Sequence, residues 1–428
     1  MARILGSSQD VSRRRFLQAT GASTAIGLAG CVGGDDGDSI KVGVPMPLSG
    51  PAGQTGEFVQ GIYEFIVDEV VNRERPDLAP LTLAEEAGLP NHGNAEVEAL
   101  FVDHRADPGE GRAEAEQLIE GDDVAMIIGA IQSPVTQSIG TLAATSQVPM
   151  VTSSTAPDLI NTDNEWLWRP TPSDAVFAAS QVEFAAARSD PAVETGAVVY
   201  EDSEFGSSAA REHQGQAQEA GIEIVEDISY TAEELTSFEA QTDVLASADP
   251  DVVFLTSHFA DGILILETFQ EREYMPRLLN VAGDLSGPEF YSERAELASN
   301  ITMRSTYSDE LQDRIPGVEA FAQALNDEAE IEFGGIPSRV TTMFQAALTG
   351  LDRAGSTDPQ EIQAAMNDLE MSNEEAGAAY GVEFDERGQN TLASALILQA
   401  QDGGTRIVWP EDLVDDNPLV YPLPEWSG

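Results

Sequence analysis

The chain is short of cations and thiols: 428 residues carry one lysine, Lys41, and one cysteine, Cys31. Twenty-one basic residues face 75 acidic ones, for a formal charge of −54. Such a surface repels nucleic acid and anionic lipid. A lone cysteine excludes any disulfide within the chain. The four histidines, His92, His104, His213 and His258, are scattered. Asp103-His104 lacks a third ligand at usable spacing, so no metal site is expected. G-x-S-x-G, H-E-x-x-H and G-x-x-x-x-G-K-[ST] are all missing, so neither an enzyme nor a bound cofactor is expected. The apolar stretch from Ala19 to Ala29 is too short, and too rich in Gly, Ser and Thr, to span a bilayer.

What is present begins at the N-terminus. Arg13-Arg14-Arg15-Phe16-Leu17 precedes that mild apolar stretch, and Leu28-Ala29-Gly30-Cys31 closes it. This resembles a twin-arginine export signal ending in a lipobox. The resemblance implies cleavage after Gly30, a lipid on Cys31 and a place on the outer face of the cell membrane. Residues 1–30 are then signal and 31–39 a Gly- and Asp-rich flexible tether. The acidic residues are spread through the chain and form no tail. A lysine-poor, uniformly acidic surface resembles proteins of halophilic organisms, although an acidic protein of a low-salt cell has the same composition.

The stretch from Val124 to Thr136 organises the remainder. Val124 to Ile128 is an apolar run ending at Gly129, as expected of a strand buried on both faces. Ser133-Pro134 follows, with serine expected as N-cap and proline at the first helical position. A helix N-terminus at the carboxyl end of a buried strand gathers free N–H groups and favours an anion. An ordinary capped turn fits the same residues.

Apolar runs and helical stripes alternate on both sides of it. Strands are expected at Ile40–Val44, Glu98–Asp103 and Val148–Thr152, with helices at about 56–72, 111–121 and 133–146. After a crossing at 167–172, strands are expected at 196–200, 222–225, 252–256 and 278–282, with helices between them. This predicts an α/β fold of two doubly wound parallel-sheet lobes. Three further stripes, around Phe321, Phe344 and Met366, need a surface to cover. Strands at 381–385 and 394–399 and a hairpin at Asp402-Gly403-Gly404 end the pattern.

Ile40 to Gly61, Asp103 with Asp107-Pro108, the Ser133 turn, Pro149 to Leu159 and Glu201 to Gly206 together resemble the type I periplasmic binding proteins of the leucine/isoleucine/valine class. That family implies two lobes joined by three hinge crossovers, near Arg169, Met303 and Gly377. Lobe 1 would be 40–169 plus 304–376, and lobe 2 would be 170–303 plus 377–428. The function implied is the solute-binding component of an ABC importer. It holds an amino-acid-like ligand in the interlobe cleft and delivers it to permease and ATPase subunits. A sensor subunit, or a binder of a small amide, urea or carboxylate, is the alternative. By the resemblance, Ser133, Ser154 and Thr155 hold the ligand carboxylate, with the register at 153–155 open by one position. Asp284 meets the ammonium. Phe205, His258 and Phe259 form an aromatic wall, and Thr55 and Ile131 border the side-chain pocket.

Overall fold

The computed structural model describes residues 39–426 except 51, 79, 80, 82, 162, 284, 286, 316, 317, 378 and 415–418. The export signal, Cys31, the tether up to residue 38, and Asp284 therefore lie outside the described residues.

β1 (Ile40–Met46) sends Val42, Val44 and Met46 into the main core. α1 (Gly53–Phe65) continues into a wider helical turn, Ile66–Val71. β2 (Val97–Asp103) is followed by α2 (Pro108–Glu120). The Asp107 carboxylate accepts from the Gly109 and Glu110 N–H groups at 2.8 and 2.9 Å, so Asp107-Pro108 starts α2. β3 (Met126–Ile128), α3 (Ser133–Ser146), β4 (Met150–Val151) and β5 (Leu167–Trp168) complete the first set. The five strands form one parallel sheet in the order β2-β1-β3-β4-β5.

The second set opens with a helix that the sequence pattern did not announce, α4 (Asp174–Ala186). Then come β6 (Thr195–Glu201), α5 (Glu204–Ala220), β7 (Glu223–Tyr230), α6 (Glu239–Ala248), β8 (Val252–Ser257), α7 (Phe259–Glu271) and β9 (Leu278–Gly283). Two short helices, α8 (Pro288–Tyr291) and α9 (Ala295–Ala298), lead to β10 (Thr302–Ser305).

The chain then returns to the first lobe. α10 (Val318–Ala329), α11 (Gly335–Ala354) and α12 (Pro359–Asn367) carry the three late stripes. Phe344 stacks on Tyr63 of α1 at 4.4 Å between centroids, and Phe321 meets Phe65 edge-on at 5.8 Å. Each large apolar side chain buried there contributes about 1.5–3 kcal/mol. β11 (Glu370–Met371), α13 (Asn373–Ala376) and β12 (Val382–Glu383) make a small antiparallel flap. β13 (Leu396–Gln401) and β14 (Gly404–Trp409) form the closing hairpin. The second sheet runs β14-β13-β10-β9-β8-β6-β7, parallel from β7 to β10 and antiparallel at β13 and β14.

Three passages join the sheets: after β5, after β10 and before β13. The last falls between Asn390 and Leu396, later than the expected Gly377. β12 pairs back onto β11, and Asn390 Nδ2 donates to Pro170 O at 2.7 Å and Gly381 O at 2.8 Å, holding this segment beside the first passage. No described helix is long and apolar enough to cross a membrane.

Candidate ligand-binding site

The first wall of the site is the carboxyl edge of β3 and β4. α3 starts at Ser133, as expected, but Ser133 is its first helical residue and not its cap. Gln132 holds the cap position without a side-chain bond. The Ser133 hydroxyl turns instead to the neighbouring loop, where it accepts from the Ala156 N–H at 3.4 Å. The Thr136 N–H bonds Gln132 O, and Pro134 has no N–H. Ser133 and Val135 are thus left as N–H donors without an intrahelical acceptor.

The loop 153–156 after β4 shows which of its groups are spent. Three hydroxyls converge on one carbonyl, Ala130 O: Thr152 at 2.8 Å, Ser154 at 3.2 Å and Thr136 at 3.3 Å. Ser154 Oγ also lies 2.6 Å from Thr136 Oγ1, so the Ser154 side chain is engaged inward. Ser153 Oγ, by contrast, is buried without a hydrogen-bond partner. The carbonyls of Ser154 and Ala156 accept from Arg169 Nη1 at 3.1 and 2.7 Å, and that of Thr155 accepts from the Asp174 N–H at 2.8 Å. Three of the loop's four carbonyls are therefore bound on the hinge side. Among the described residues the Ser153 and Thr155 N–H groups have no acceptor. The loop thus keeps two unspent N–H donors and the Ser153 hydroxyl against one carbonyl, that of Ser153, without a donor among the described residues, a balance that suits a carboxylate without any cation.

The second wall is the carboxyl edge of β6, β8 and β9. Ser203 caps α5 by accepting from the Phe205 N–H at 3.1 Å, and its hydroxyl donates to the Glu201 carboxylate. Gly206 makes the turn possible, since a Cβ there would sit 2.0 Å from Glu201 O. Phe205 and His258 lie together, with ring centroids 5.5 Å apart at 33°. Gly283, at φ +83°, would put a Cβ 3.3 Å from Phe205 Cζ, so the end of β9 also meets this ring. His258 precedes α7, its N–H donating to Asp261 at 3.3 Å, and Tyr230 donates its hydroxyl to the same carboxylate. Burial first, then Asp261 and Glu201, push the Tyr230 phenol up, so it stays a donor. Glu201, 5% exposed, has one oxygen 3.9 Å from His258 Nε2. Sequence reasoning missed it. Its signal was a lone acid at a strand end in an acidic chain.

The two walls approach through Arg211 on α5, whose Nη2 lies 3.2 Å from Glu204 and 3.8 Å from Asp158 of the first lobe. Of the expected residues, the structure thus sets Ser133 and Thr155 beside one loop, and Phe205 and His258 beside one ring pair. Ile131 and Phe259 are half-buried and pack in part on the core. Thr55 is half-buried in the first turn of α1. Asp103 is occupied locally, accepting from the N–H groups of Leu48, Ser49 and Arg105.

The two sheet edges each present polar and aromatic groups, and Arg211 brings them within ion-pair reach of one another. A family model described as periplasmic binding protein matches residues 39–405. The chain belongs to the periplasmic binding protein family. It is 25% identical over 386 residues to Leu/Ile/Val-binding protein homolog 7 of Brucella abortus, covering 87% of this chain and 92% of that one. In three dimensions it is similar to the branched-chain amino acid transporter substrate-binding protein LivJ of Streptococcus pneumoniae, solved with isoleucine. The TM-score is 0.73 at 18% identity, over 87% of this chain and 100% of the other. An ABC-transporter solute-binding protein of Rhodopseudomonas palustris BisB5, solved with 3,4-dihydroxybenzoic acid, gives 0.70 at 18% identity, over 86% and 95%. The fold is that of these type I periplasmic binding proteins, and the family binds solutes outside the cytoplasm without acting as an enzyme.

Proposed function

We propose that this periplasmic binding protein holds a small carboxylate-bearing, amino-acid-like solute between its two sheet edges and delivers it to the permease of an ABC importer. The observation that carries the reading is the donor-rich loop 153–156, with every bound carbonyl turned to the hinge and Ser133 alongside. A ligand carboxylate there needs no counter-cation. Its ammonium would be met on the opposite wall by Glu201; Asp284, which the resemblance gives this role, lies outside the described residues. Burying either charge of a zwitterion unpaired costs several kcal/mol or more, so both walls are needed and closure follows binding. Lipidation at Cys31 would keep the protein at the membrane face, and the acidic surface suits a salt-rich medium.

A second reading, an aromatic carboxylate, is favoured by the Phe205–His258 ring pair, which offers a flat wall. Isothermal titration in high salt with L-isoleucine, L-leucine, benzoate and urea separates the readings. Heat with the amino acids alone supports the first, and heat with benzoate alone supports the second. Silence toward all four overturns both. Solute uptake by whole cells, with and without the protein, tests delivery against sensing.

A further inference from the structure

Two of the loop carbonyls are held by one side chain that also holds a different part of the chain. Arg169 begins the first passage and is 2% exposed. Its Nη1 donates to Ser154 O and Ala156 O, and its Nε donates to Gln389 Oε1 at 2.7 Å. Gln389 belongs to the segment that leads into the third passage, and its amide donates onward to Thr171 O at 3.2 Å. Backbone bonds close the frame: the Arg169 N–H donates to Gly388 O at 2.8 Å, and the Asn390 N–H donates to Arg169 O at 3.0 Å. Burial holds the guanidinium pKa down to about 10, so it remains a cation at neutral pH. Only a planar fork reaches acceptors in two directions from one buried point, which a lysine ammonium does not reproduce.

We propose that Arg169 is a positioning residue for ligand binding, tying the orientation of the loop 153–156 to the third passage so that loop geometry and lobe closure move as one. The proposal rests on the cleft reading above. Closure rotates the passages between the sheets, and Gln389 stands at the foot of the third, one residue before Asn390, where that passage begins. Arg169 transmits that displacement to the loop carbonyls. Without it, Ser154 O loses its donor and Ala156 O keeps only the Leu159 N–H at 3.3 Å, so Ser154 O above all is free to turn toward the cleft, where its lone pairs repel a carboxylate.

The test uses the full chain with Arg169→Gln, Arg169→Lys and Gln389→Ala. Hydrogen exchange is read without any solute, and L-isoleucine is titrated separately. Gln389→Ala touches no loop residue and leaves both loop carbonyls bonded. It is expected to speed exchange across 150–157 as well as 384–391. Both Arg169 variants are expected to do the same more strongly and to weaken isoleucine binding roughly tenfold or more. Unchanged exchange across 150–157 in Gln389→Ala and in Arg169→Lys overturns the proposal, leaving Arg169 as packing only. If Arg169→Gln does not fold, Gln389→Ala still decides. If isoleucine fails to bind the unaltered protein, the amino-acid reading falls while the exchange result stands by itself.

Discussion

Arg304 Nη1 lies 3.0 Å from Asp174 Oδ1, with the two side chains 4% and 0% exposed. The pair joins the end of β10, where the second passage begins, to the start of α4, where the first one ends. Ser208 of α5 donates to the other Asp174 oxygen at 3.2 Å, and the Arg304 guanidinium lies 4.2 Å from the Phe177 ring and 5.9 Å from the Phe205 ring. Breaking a buried pair from one side strands the remaining charge, at a cost of about 3–5 kcal/mol. Asp174→Asn and Arg304→Gln are each expected to lower the urea midpoint strongly. The double variant should recover most of that loss, because neither charge is then stranded. Additive losses in the double variant would mean the two do not act as a pair.

The three serines near the first wall have separable roles. Ser154→Ala removes a member of the buried hydroxyl knot, so stability should fall by about 1 kcal/mol while affinity changes little. Ser153→Ala removes an unpartnered buried hydroxyl, so the free protein should be as stable or more so. Its affinity for a carboxylate should nevertheless drop. Ser133→Ala should weaken binding and cost little stability. Paired denaturation and titration of the three variants checks the set. A Ser154→Ala protein that is fully stable but no longer binds would put the ligand hydroxyl one position later.

Much of this frame is legible in the sequence, because apolar runs bounded by turn residues are local signals. The strand Met126–Ile128, shorter than the apolar run from Val124 that announces it, and the helix from Ser133 to Ser146 follow from such a run and a proline. α4 does not. Its buried residues share one face, but that face includes the polar Asp174 and Gln181, while apolar Ala175, Val176, Ala179 and Ala186 lie outside it, so the sequence shows no clear stripe. Ser154 illustrates a different limit. Its residue type suits a ligand contact, but the carbonyl of Ala130, 24 positions earlier, takes its hydroxyl. Arg169 is likewise explained only by Gln389, 220 positions later. Such roles depend on tertiary neighbours that no local pattern contains.

Glu201 should act on the charge of the ligand and not on the fold. If it faces an ammonium in the closed cleft, Glu201→Gln weakens binding of L-isoleucine by roughly tenfold. Benzoate, which has no ammonium, should bind as well or better once this negative charge is gone. Titration of both solutes against the same variant provides the check. Equal losses for the two would point to a Ser203 cap that has been disturbed, and not to charge recognition.

His213 gives the fold a defined acid limb. Its Nε2 donates to Gln181 Oε1 at 2.9 Å, and its ring stacks on Phe254 at 4.7 Å. Burial first, and Arg304 second, push it down from 6.5 to about 3. The unfolded chain therefore binds a proton between about pH 6.5 and 3 that the fold excludes. The neutral ring's contribution is fully present above pH 6.5 and is lost as pH falls, by about 1.4 kcal/mol for each unit. Between pH 6.5 and 5, His213→Gln should lose roughly 2 kcal/mol less than the unaltered protein. Comparing the two proteins cancels the contributions of other titrating groups, His104 among them. Parallel pH curves would show that His213 is accessible to protons in the fold.

Salt should stabilise this protein, and the sign follows from the imbalance of charges. Seventy-five acidic residues against 21 basic ones leave repulsion as the dominant long-range interaction. Screening also weakens attractive pairs at the surface, such as Arg272 with Asp243 and Arg75 with Glu328. Each exposed pair is worth only about 0–1 kcal/mol, and such pairs are few beside the unpaired acids. The Debye length shrinks from about 10 Å at 0.1 M to about 3 Å at 1 M, so most of the repulsion disappears within that range. The thermal midpoint should rise steeply between 0.1 and 1 M KCl and more slowly beyond. NaCl should act alike if screening is the cause. A midpoint that falls over this range would mean that the surface pairs, and not the unpaired acids, govern stability.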